Sequence, residues 1–425
     1  MSSDLTDHHP ATGTNTDDAG PPPQVRASAA APFGPPWSFA SLLHPITPEV
    51  FFSDYWGRNR LHIARGDGSF FSELITLGEL QRYLSVDELY QRGTVTTSSR
   101  AVEPPLPPPN STSELYRRLV AGRSMRIRRM ECLLDPSAPT LQLFRDMERT
   151  LQHPTGSFSC YIAPANAIGL GPHHDHTEIF TLQIFGTKRW RLYHRVDTDH
   201  SKSYRRDQLG EPSAEFVLEP GDLFYLPRGQ IHEVENQTPS FSLTFVFDPI
   251  KWSALLDMLV ERLARTDEFI APMPAGVLLD GDSTGALQRG FDQRIQLIRD
   301  TLDALDAEAL RDRAAVEHLT QVTMPPDDNH LESLFQLDRL TPETVLEKRP
   351  GVAWHLARKG ATVVLTLPGG FTLEVGAGAE PVLRAVLERT GPFRVDEIHD
   401  SLDQATQLAL ARDLVGCGLL RPRAP

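Results

Sequence analysis

Apolar and polar residues alternate with a period of two through the middle of the chain. The alternation runs over residues 178–185, resumes over residues 188–193, and returns in the segment FSLTFVF at residues 241–247. Because successive side chains of a strand point to opposite faces, this pattern predicts β-strands. A Phe-Gly-Thr sequence separates the first two segments, so we expect them to be the two arms of a hairpin.

Apolar residues recur at helical spacing on both sides of this region. A helix is predicted after Thr47, with Pro48 at its first position, and others over residues 72–92, 113–121 and 141–151. Further strands are predicted at residues 61–64, 124–134 and 157–163. After Pro249 the pattern becomes helical, with two apolar stripes between residues 252 and 305. Many short strands flanked by helices predict an α+β fold.

The two ends of the chain differ from this central region. Residues 1–36 have no aromatic residue before Phe33 and are rich in Ser, Thr, Asp, Ala and Pro, which predicts a disordered tail. From about Leu340 a further unit begins, in which a Pro-Gly-Gly turn joins two predicted strands at residues 362–367 and 371–375. Three helices are predicted after this hairpin, at residues 380–389, 395–402 and 404–417.

Composition restricts the partners that this chain can have. The 425 residues contain 42 Lys and Arg against 56 Asp and Glu, which gives a net charge of −14. An acidic protein lacks the phosphate-neutralising surface that nucleic acid requires, so the charge argues against direct DNA binding and favours a basic polypeptide. The sequence shows neither an apolar run that spans a bilayer nor a signal peptide, so we expect a cytoplasmic protein.

A metal site is predicted from two separated segments. His173 and Asp175 stand two apart in PHHDHTE, so a strand would point both side chains to one face and turn His174 and His176 away. His232 follows a short apolar strand and a Pro-Arg-Gly turn, from which its imidazole can reach the same place. Two imidazoles and one carboxylate leave coordination positions open. This donor set is typical of Fe(II) centres with open positions, whereas structural zinc is held by a closed set of four protein ligands.

Lys188 is the anomalous residue of the second alternating segment. It shares the parity of Trp190 and Leu192, so it should face the apolar interior. A buried ammonium group is unfavourable unless an anion accompanies it. The sequence therefore predicts a negative group beside Lys188. Four arginines between residues 123 and 129 suit a phosphate or nucleic-acid patch, but in an acidic protein the solvated face of a strand is the favoured interpretation.

His173-x-Asp175, Lys188 and the segment PRGQIH that ends at His232 resemble the JmjC-type cupin oxygenases, and most of all their ribosomal oxygenase branch. That family consists of Fe(II)- and 2-oxoglutarate-dependent protein hydroxylases with a double-stranded β-helix barrel. The resemblance implies that His173, Asp175 and His232 hold the catalytic iron, and that O2 is the oxidant. It also implies that Lys188, fifteen residues after His173, binds the far carboxylate of 2-oxoglutarate.

The same resemblance extends beyond the metal ligands. The segment CYIAPANAIGLGPHHD is similar to the family's strand before the iron motif, which implies that Tyr161 and Asn166 lie at the cosubstrate. It implies an oxygenase domain over residues 37–250, a helical dimerisation region over residues 251–339 and a winged-helix-like domain over residues 340–425. A homodimer is expected on the same basis.

The implied activity is hydroxylation of an amino-acid side chain in a protein or peptide, with a basic ribosomal protein as one candidate substrate. Three alternatives stay open from the sequence. They are a hydroxylase of natural-product precursor peptides, a lysine demethylase, and a metal-binding cupin without oxygenase activity.

Overall fold

A computed structural model describes residues 24–26, 37–85, 88–91, 94–98, 106–135, 137–153, 155–167, 171–197, 200–277, 284–322, 324 and 330–423. The chain divides into two compact units. The first consists of Met1–Leu134, Ala138–Thr140 and Ser157–Val246, and the second of Asp135–Ser137, Leu141–Gly156 and Phe247–Pro425.

Two sheets form the framework of the first unit. An eight-stranded sheet has the order β1-β2-β11-β7-β13-β5-β4-β3, and a five-stranded sheet has the order β10-β8-β12-β6-β9. The strands are β1 (Gln24–Arg26), β2 (Leu61–Ala64), β3 (Val95–Ser98), β4 (Ser124–Ile127), β5 (Thr155–Ala163), β6 (His173–His174), β7 (Glu178–Phe185), β8 (Lys188–Arg195), β9 (Lys202–Ser203), β10 (Ala214–Leu218), β11 (Leu223–Leu226), β12 (Gln230–Asn236) and β13 (Ser240–Asp248).

Short helices lie before and between the first strands of this unit, and all but the first of them were predicted from the sequence. They are α1 (Phe39–Leu43), α2 (Pro48–Val50) with a π turn at Phe51–Tyr55, α3 (Leu77–Leu84), α4 (Glu88–Gln91) and α5 (Thr112–Val120). The hydroxyl of Thr47 accepts a hydrogen bond from the backbone N–H of Val50, which confirms the predicted cap. The helix expected over residues 141–151 is α6 (Pro139–Leu151), which lies mostly in the second unit.

The hairpin predicted for residues 178–193 is wrong, because β7 and β8 belong to different sheets. The chain crosses between the sheets at Gly186, which has a φ of +68° and stands where a Cβ would lie only 1.9 Å from the carbonyl oxygen of Pro239. Only glycine fits this position. The crossing turns the inner faces of both sheets toward one apolar core, formed by Ile179, Trp190, Leu192, Ala214, Leu218, Phe224 and Leu226.

Two other predictions differ from the structure of the first unit. The strand expected over residues 124–134 ends at Ile127, because Arg129 adopts a left-handed φ of +56° before a 3-10 turn. Within the predicted tail, Gln24–Arg26 form a strand that pairs in parallel with β2. Backbone hydrogen bonds at a sheet edge need no apolar side chains, so composition could not reveal them. The rest of the tail prediction lies outside the described residues.

The second unit combines helices with two three-stranded sheets, β18-β14-β19 and β15-β16-β17. Besides α6 it contains α7 (Ser253–Leu263), α8 (Asp267–Ile270), α9 (Ala286–Asp303), α10 (Ala307–Gln321), α11 (His330–Phe335), α12 (Glu380–Glu388) and α13 (Gln404–Gly416). Its strands are β14 (Val345–Lys348), β15 (His355–Lys359), β16 (Thr362–Leu367), β17 (Phe371–Gly376), β18 (Phe393–Arg394) and β19 (Leu420–Pro422).

The hairpin predicted around the Pro-Gly-Gly turn is confirmed by the pairing of β16 with β17. The helix expected over residues 395–402 is wrong, because only a 3-10 turn at Val395–Glu397 forms there. The side chain of His399 accepts a hydrogen bond from the backbone N–H of Ser401, and such local side-chain bonds compete with helical ones. Among the described residues, no helix is both long and apolar enough to cross a membrane.

Candidate metal and anion site

His173 and His232 face each other across two neighbouring strands. β6 and β12 run antiparallel with His232 directly opposite His173, and the two ring centroids are 4.3 Å apart. Asp175 follows β6, where its carbonyl oxygen accepts a hydrogen bond of 2.8 Å from the backbone N–H of Gly229. The turn before His232 is thus bonded to the segment that carries the other two side chains.

The three predicted metal ligands come together in the structure. Oδ2 of Asp175 is 3.5 Å from Nε2 of His173 and 3.9 Å from Nε2 of His232. One donor atom from each residue lies within 4.8 Å of the other two. This separation leaves room for one cation between two imidazoles and a carboxylate, the facial donor set of non-haem iron sites.

Each imidazole is held in the tautomer that a metal requires. Nδ1 of His173 lies 2.9 Å from the carbonyl oxygen of Gly171, and Nδ1 of His232 lies 3.0 Å from that of Gln230. A carbonyl oxygen only accepts, so Nδ1 carries the proton in both rings. In the neutral ring, each Nε2 then keeps its lone pair for a metal, as in metal-ligating histidines.

Burial and mutual charge shift the pKa of all three groups. Burial, followed by repulsion from His173, lowers the pKa of His232 to about 4, which keeps this ring neutral. Burial also opposes protonation of His173, but the hydrogen bond to Asp175, the charge of that carboxylate and the bond to the Gly171 carbonyl together outweigh burial and raise the pKa of His173. Burial opposes ionisation of Asp175 too, yet its hydrogen bond to His173 and the histidine charges hold its pKa below the usual range.

The neighbouring histidines turn away from the cluster, as the strand parity predicts. His174 is buried, with Nε2 2.9 Å from the carbonyl oxygen of His200 and Nδ1 2.9 Å from the hydroxyl of Tyr204. Nδ1 of His176 lies 3.0 Å from the hydroxyl of Ser201. These nitrogens therefore point to other partners.

Lys188 is buried inside the first unit, where the sequence predicts it. Its ammonium group donates a hydrogen bond of 2.5 Å to the hydroxyl of Ser242, and burial lowers its pKa to about 7. Within the part of the chain that the structure describes, no carboxylate forms an ion pair with Lys188. Ser242 was missed by the sequence reasoning, because β13 is buried on both faces around this residue and its alternation does not show which side faces Lys188.

Tyr161 lies beside Lys188, and Arg126 lies against the same ring. The centroid of the Tyr161 ring is 5.7 Å from Nζ of Lys188 and 5.3 Å from the guanidinium carbon of Arg126. Arg126 stands opposite Tyr161 on β4, an interior strand of the eight-stranded sheet, and its charge contributes to the low pKa of Asp175. Arg126 is half-buried against Tyr161, whereas Arg128 and Arg129 are exposed, as the solvated-face interpretation expects.

Asn166 lies in an exposed turn after β5 with a left-handed φ of +60°. Its backbone N–H donates to the carbonyl oxygen of Asn236, at 2.6 Å. Asn236 is the buried asparagine of this region. It stands opposite Lys188 between β12 and β8, and its side chain bonds to Ala167 and Ser240. A role of Asn166 at the cosubstrate stays a prediction.

Residues 137–255, which include the three clustered side chains and Lys188, match the family model of the JmjC domain. The chain is 32% identical over 231 residues to the "Bifunctional lysine-specific demethylase and histidyl-hydroxylase NO66" of Drosophila mojavensis, covering 51% of this chain and 25% of that protein. It is 31% identical over 292 residues to human "Ribosomal oxygenase 1", covering 64% of this chain and 41% of that protein. The chain thus spans less than half the length of these two relatives.

The fold is similar to that of YcfD, a ribosomal oxygenase from Escherichia coli solved in complex with cobalt and 2-oxoglutarate. The TM-score is 0.54 with 18% sequence identity, and the match covers 88% of this chain and 97% of that chain. This likeness establishes a cupin-like architecture of mixed strands and helices.

Proposed function

We propose, from the JmjC domain at residues 137–255 and its resemblance to ribosomal oxygenases, that this protein is a Fe(II)- and 2-oxoglutarate-dependent dioxygenase. It hydroxylates an amino-acid side chain of a protein or peptide. The observation that carries the proposal is a combination of two features. Three metal donors converge on one point, and a buried lysine stands nearby with a hydroxyl as its protein partner.

The donor set fits Fe(II), which accepts imidazole and carboxylate ligands and needs open positions. Iron, 2-oxoglutarate and O2 together supply the oxidation of an aliphatic C–H bond. The residues of this chain bind and orient. His173 and His232 hold the metal through Nε2, and Asp175 holds it through Oδ2. Lys188 pairs with the far carboxylate of 2-oxoglutarate.

Two further side chains are proposed for the cosubstrate pocket. Tyr161 forms its wall, because its ring faces the ammonium group of Lys188. Ser242 holds that ammonium group in place through its hydroxyl. The resemblance adds Asn166 to the pocket, although only its backbone contact with Asn236 supports this position.

Hydroxylation is the activity proposed first, with lysine demethylation as its alternative. The guanidinium group of Arg126 lies against Tyr161, so its positive charge belongs to the proposed cosubstrate pocket. The net charge of −14 acts at longer range and favours a basic protein as substrate, such as a ribosomal protein. Formaldehyde release during turnover would identify demethylation instead.

The remaining proposals concern the other parts of the chain. We propose the oxygenase domain over residues 37–250, a helical dimerisation region over residues 251–339, and a winged-helix-like domain over residues 340–425. The protein is a cytoplasmic homodimer.

Support for the dimer comes from α7 and α9, where Leu256 and Phe291 are 61% and 57% exposed. Such apolar exposure is typical of a surface that a partner covers.

An anaerobic titration with Fe(II) and 2-oxoglutarate tests the proposed activity. We expect a visible charge-transfer band in the wild type and its loss in His232→Ala. His194→Ala, which removes an exposed histidine of β8, is the matched control and should keep the band. Asp175→Ala should abolish turnover. A wild type that binds iron without forming the band would contradict the dioxygenase proposal and favour a cupin of another function.

A further inference from the structure

Residues 200–204, named here the clamp segment, contact β6, which carries His173, and the residues on either side of that strand. β9 of this segment pairs with β6, with Ser203 opposite His173 and Lys202 opposite His174. The backbone N–H of Tyr204 donates to the carbonyl oxygen of Pro172, at 2.8 Å. β6 has only two residues, and so short a strand needs neighbours on both sides to be held in place.

The first side-chain contact of the clamp segment is with His174. A carbonyl oxygen only accepts, so Nε2 of His174 carries the proton that is donated to His200, at 2.9 Å. Nδ1 of the neutral ring then accepts from the hydroxyl of Tyr204, also at 2.9 Å. Both ring nitrogens of a buried histidine are thus bonded to the clamp segment, which fixes the residue between His173 and Asp175.

The second contact reaches Asp175 itself. The hydroxyl of Ser201 lies 3.4 Å from Oδ1 of Asp175. The other carboxylate oxygen of Asp175, Oδ2, faces the two histidines. The same hydroxyl accepts from the backbone N–H of His176, at 3.3 Å, and lies 3.0 Å from Nδ1 of that ring. When Nδ1 of His176 donates its proton, the single proton of Ser201 is free for Asp175.

From these contacts we infer that the clamp segment pre-positions the metal ligands, with Ser201 and Tyr204 as positioning residues. The inference rests on the proposed metal role of His173 and Asp175. Ser201 fixes the carboxylate plane of Asp175 so that Oδ2 points between the histidines. Tyr204 holds His174 in place. Because His174 lies between His173 and Asp175 in the chain, Tyr204 thereby fixes the distance between these two metal ligands. Hydrogen-bond partners of this kind change metal affinity by about 10- to 100-fold.

Titration of the full-length protein with Co(II), without 2-oxoglutarate, tests the inference. The variants Ser201→Ala and Tyr204→Phe each remove one hydroxyl. We expect Co(II) to bind about tenfold more weakly to each, and the visible d–d bands of Ser201→Ala to shift because the carboxylate turns. Tyr90→Phe is the matched control, since its buried hydroxyl bonds to the carbonyl oxygen of Leu84 outside the clamp. It should keep the wild-type affinity and spectrum.

Thermal unfolding of the metal-free variants separates positioning from folding. If Ser201→Ala and Tyr204→Phe bind Co(II) with wild-type affinity and bands, the clamp inference is wrong, whatever their stability. If the wild type itself binds no Co(II), the proposed metal function fails instead. Weaker binding in variants that unfold at the wild-type temperature supports the clamp.

Discussion

At the scale of single residues, burial changes the pKa of Lys188 and of His232. Burial lowers the pKa of Lys188 to about 7, and among the described residues its ammonium group bonds to the neutral hydroxyl of Ser242 and to no carboxylate. His232 is held neutral by burial and by its neighbour His173. Both states suit a site that is completed by ligands from outside the protein, a cation for the histidines and an anion for the lysine.

The role of Lys188 is tested by removing its charge. In Lys188→Ala we expect the KM for 2-oxoglutarate to rise by about 10- to 100-fold, the range of a lost hydrogen bond to a charged group. Saturated turnover should change much less. Lys359→Ala, which removes an exposed lysine of β15, should leave the KM at its wild-type value. An unchanged KM in Lys188→Ala would remove this residue from the cosubstrate site.

The low pKa of Lys188 also predicts a pH dependence. Below pH 7 the ammonium form dominates and can pair with a carboxylate; above pH 7 the neutral amine dominates. The affinity for 2-oxoglutarate should therefore fall as pH rises from 7 to 9, by at most about tenfold per unit. Lys188→Arg keeps its charge throughout this range and should flatten the profile. A wild-type affinity that is constant over this range would contradict the prediction.

At the scale of elements, the site depends on turns that bring β6 and β12 together. Gly229 has a φ of +79°, and a Cβ there would lie 2.0 Å from the carbonyl oxygen of Val196. Its backbone N–H donates to Asp175, and its carbonyl oxygen accepts from Val196. The turn is therefore bonded on both sides, and His232 follows it after two residues.

Gly229→Ala should damage both stability and the metal site. The left-handed φ costs an alanine about 1–2 kcal/mol, and relief of the clash costs about 1–3 kcal/mol more. Gly210→Ala is the matched control, since Gly210 has a φ of +70° but open space around its Cβ position. Urea unfolding should show only the smaller loss for Gly210→Ala. Equal losses in the two variants would contradict the steric argument at Gly229.

At the scale of the whole molecule, the helices of the second unit present exposed apolar side chains. Trp252, at the start of α7, is 82% exposed, and Leu256 and Ile270 lie on the same helical region with exposed side chains. Sequence periodicity identified the stripe on α7 but could not tell an intrachain core from an uncovered face. The exposure of these residues is what supports a second copy as the partner.

Light scattering tests this assembly. We expect a dimer in the wild type, and dissociation in Leu256→Glu because a carboxylate replaces an apolar contact at the interface. Val120→Glu is the control, since Val120 is 90% exposed on α5 of the first unit. That variant should keep the wild-type mass. A monomeric wild type at micromolar concentration would exclude the homodimer.

The sequence by itself determined the features that depend on local order along the chain. Period-two and helical patterns located most strands and helices, and the spacing of His173 and Asp175 indicated that their side chains point the same way, although Asp175 lies just after the strand. The parity of Lys188 revealed a buried charge. These predictions succeed because the direction of a side chain within one element follows from its position in the repeat.

Only the tertiary structure decided which elements are neighbours. A period of two is the same in a hairpin and in two strands of opposite sheets, so the crossing at Gly186 was predicted wrongly. Arg126 lies against Tyr161 because β4 pairs with β5, and Ser201 lies beside Asp175 because β9 pairs with β6. Such contacts join residues far apart in the chain, and their register depends on packing of the whole fold.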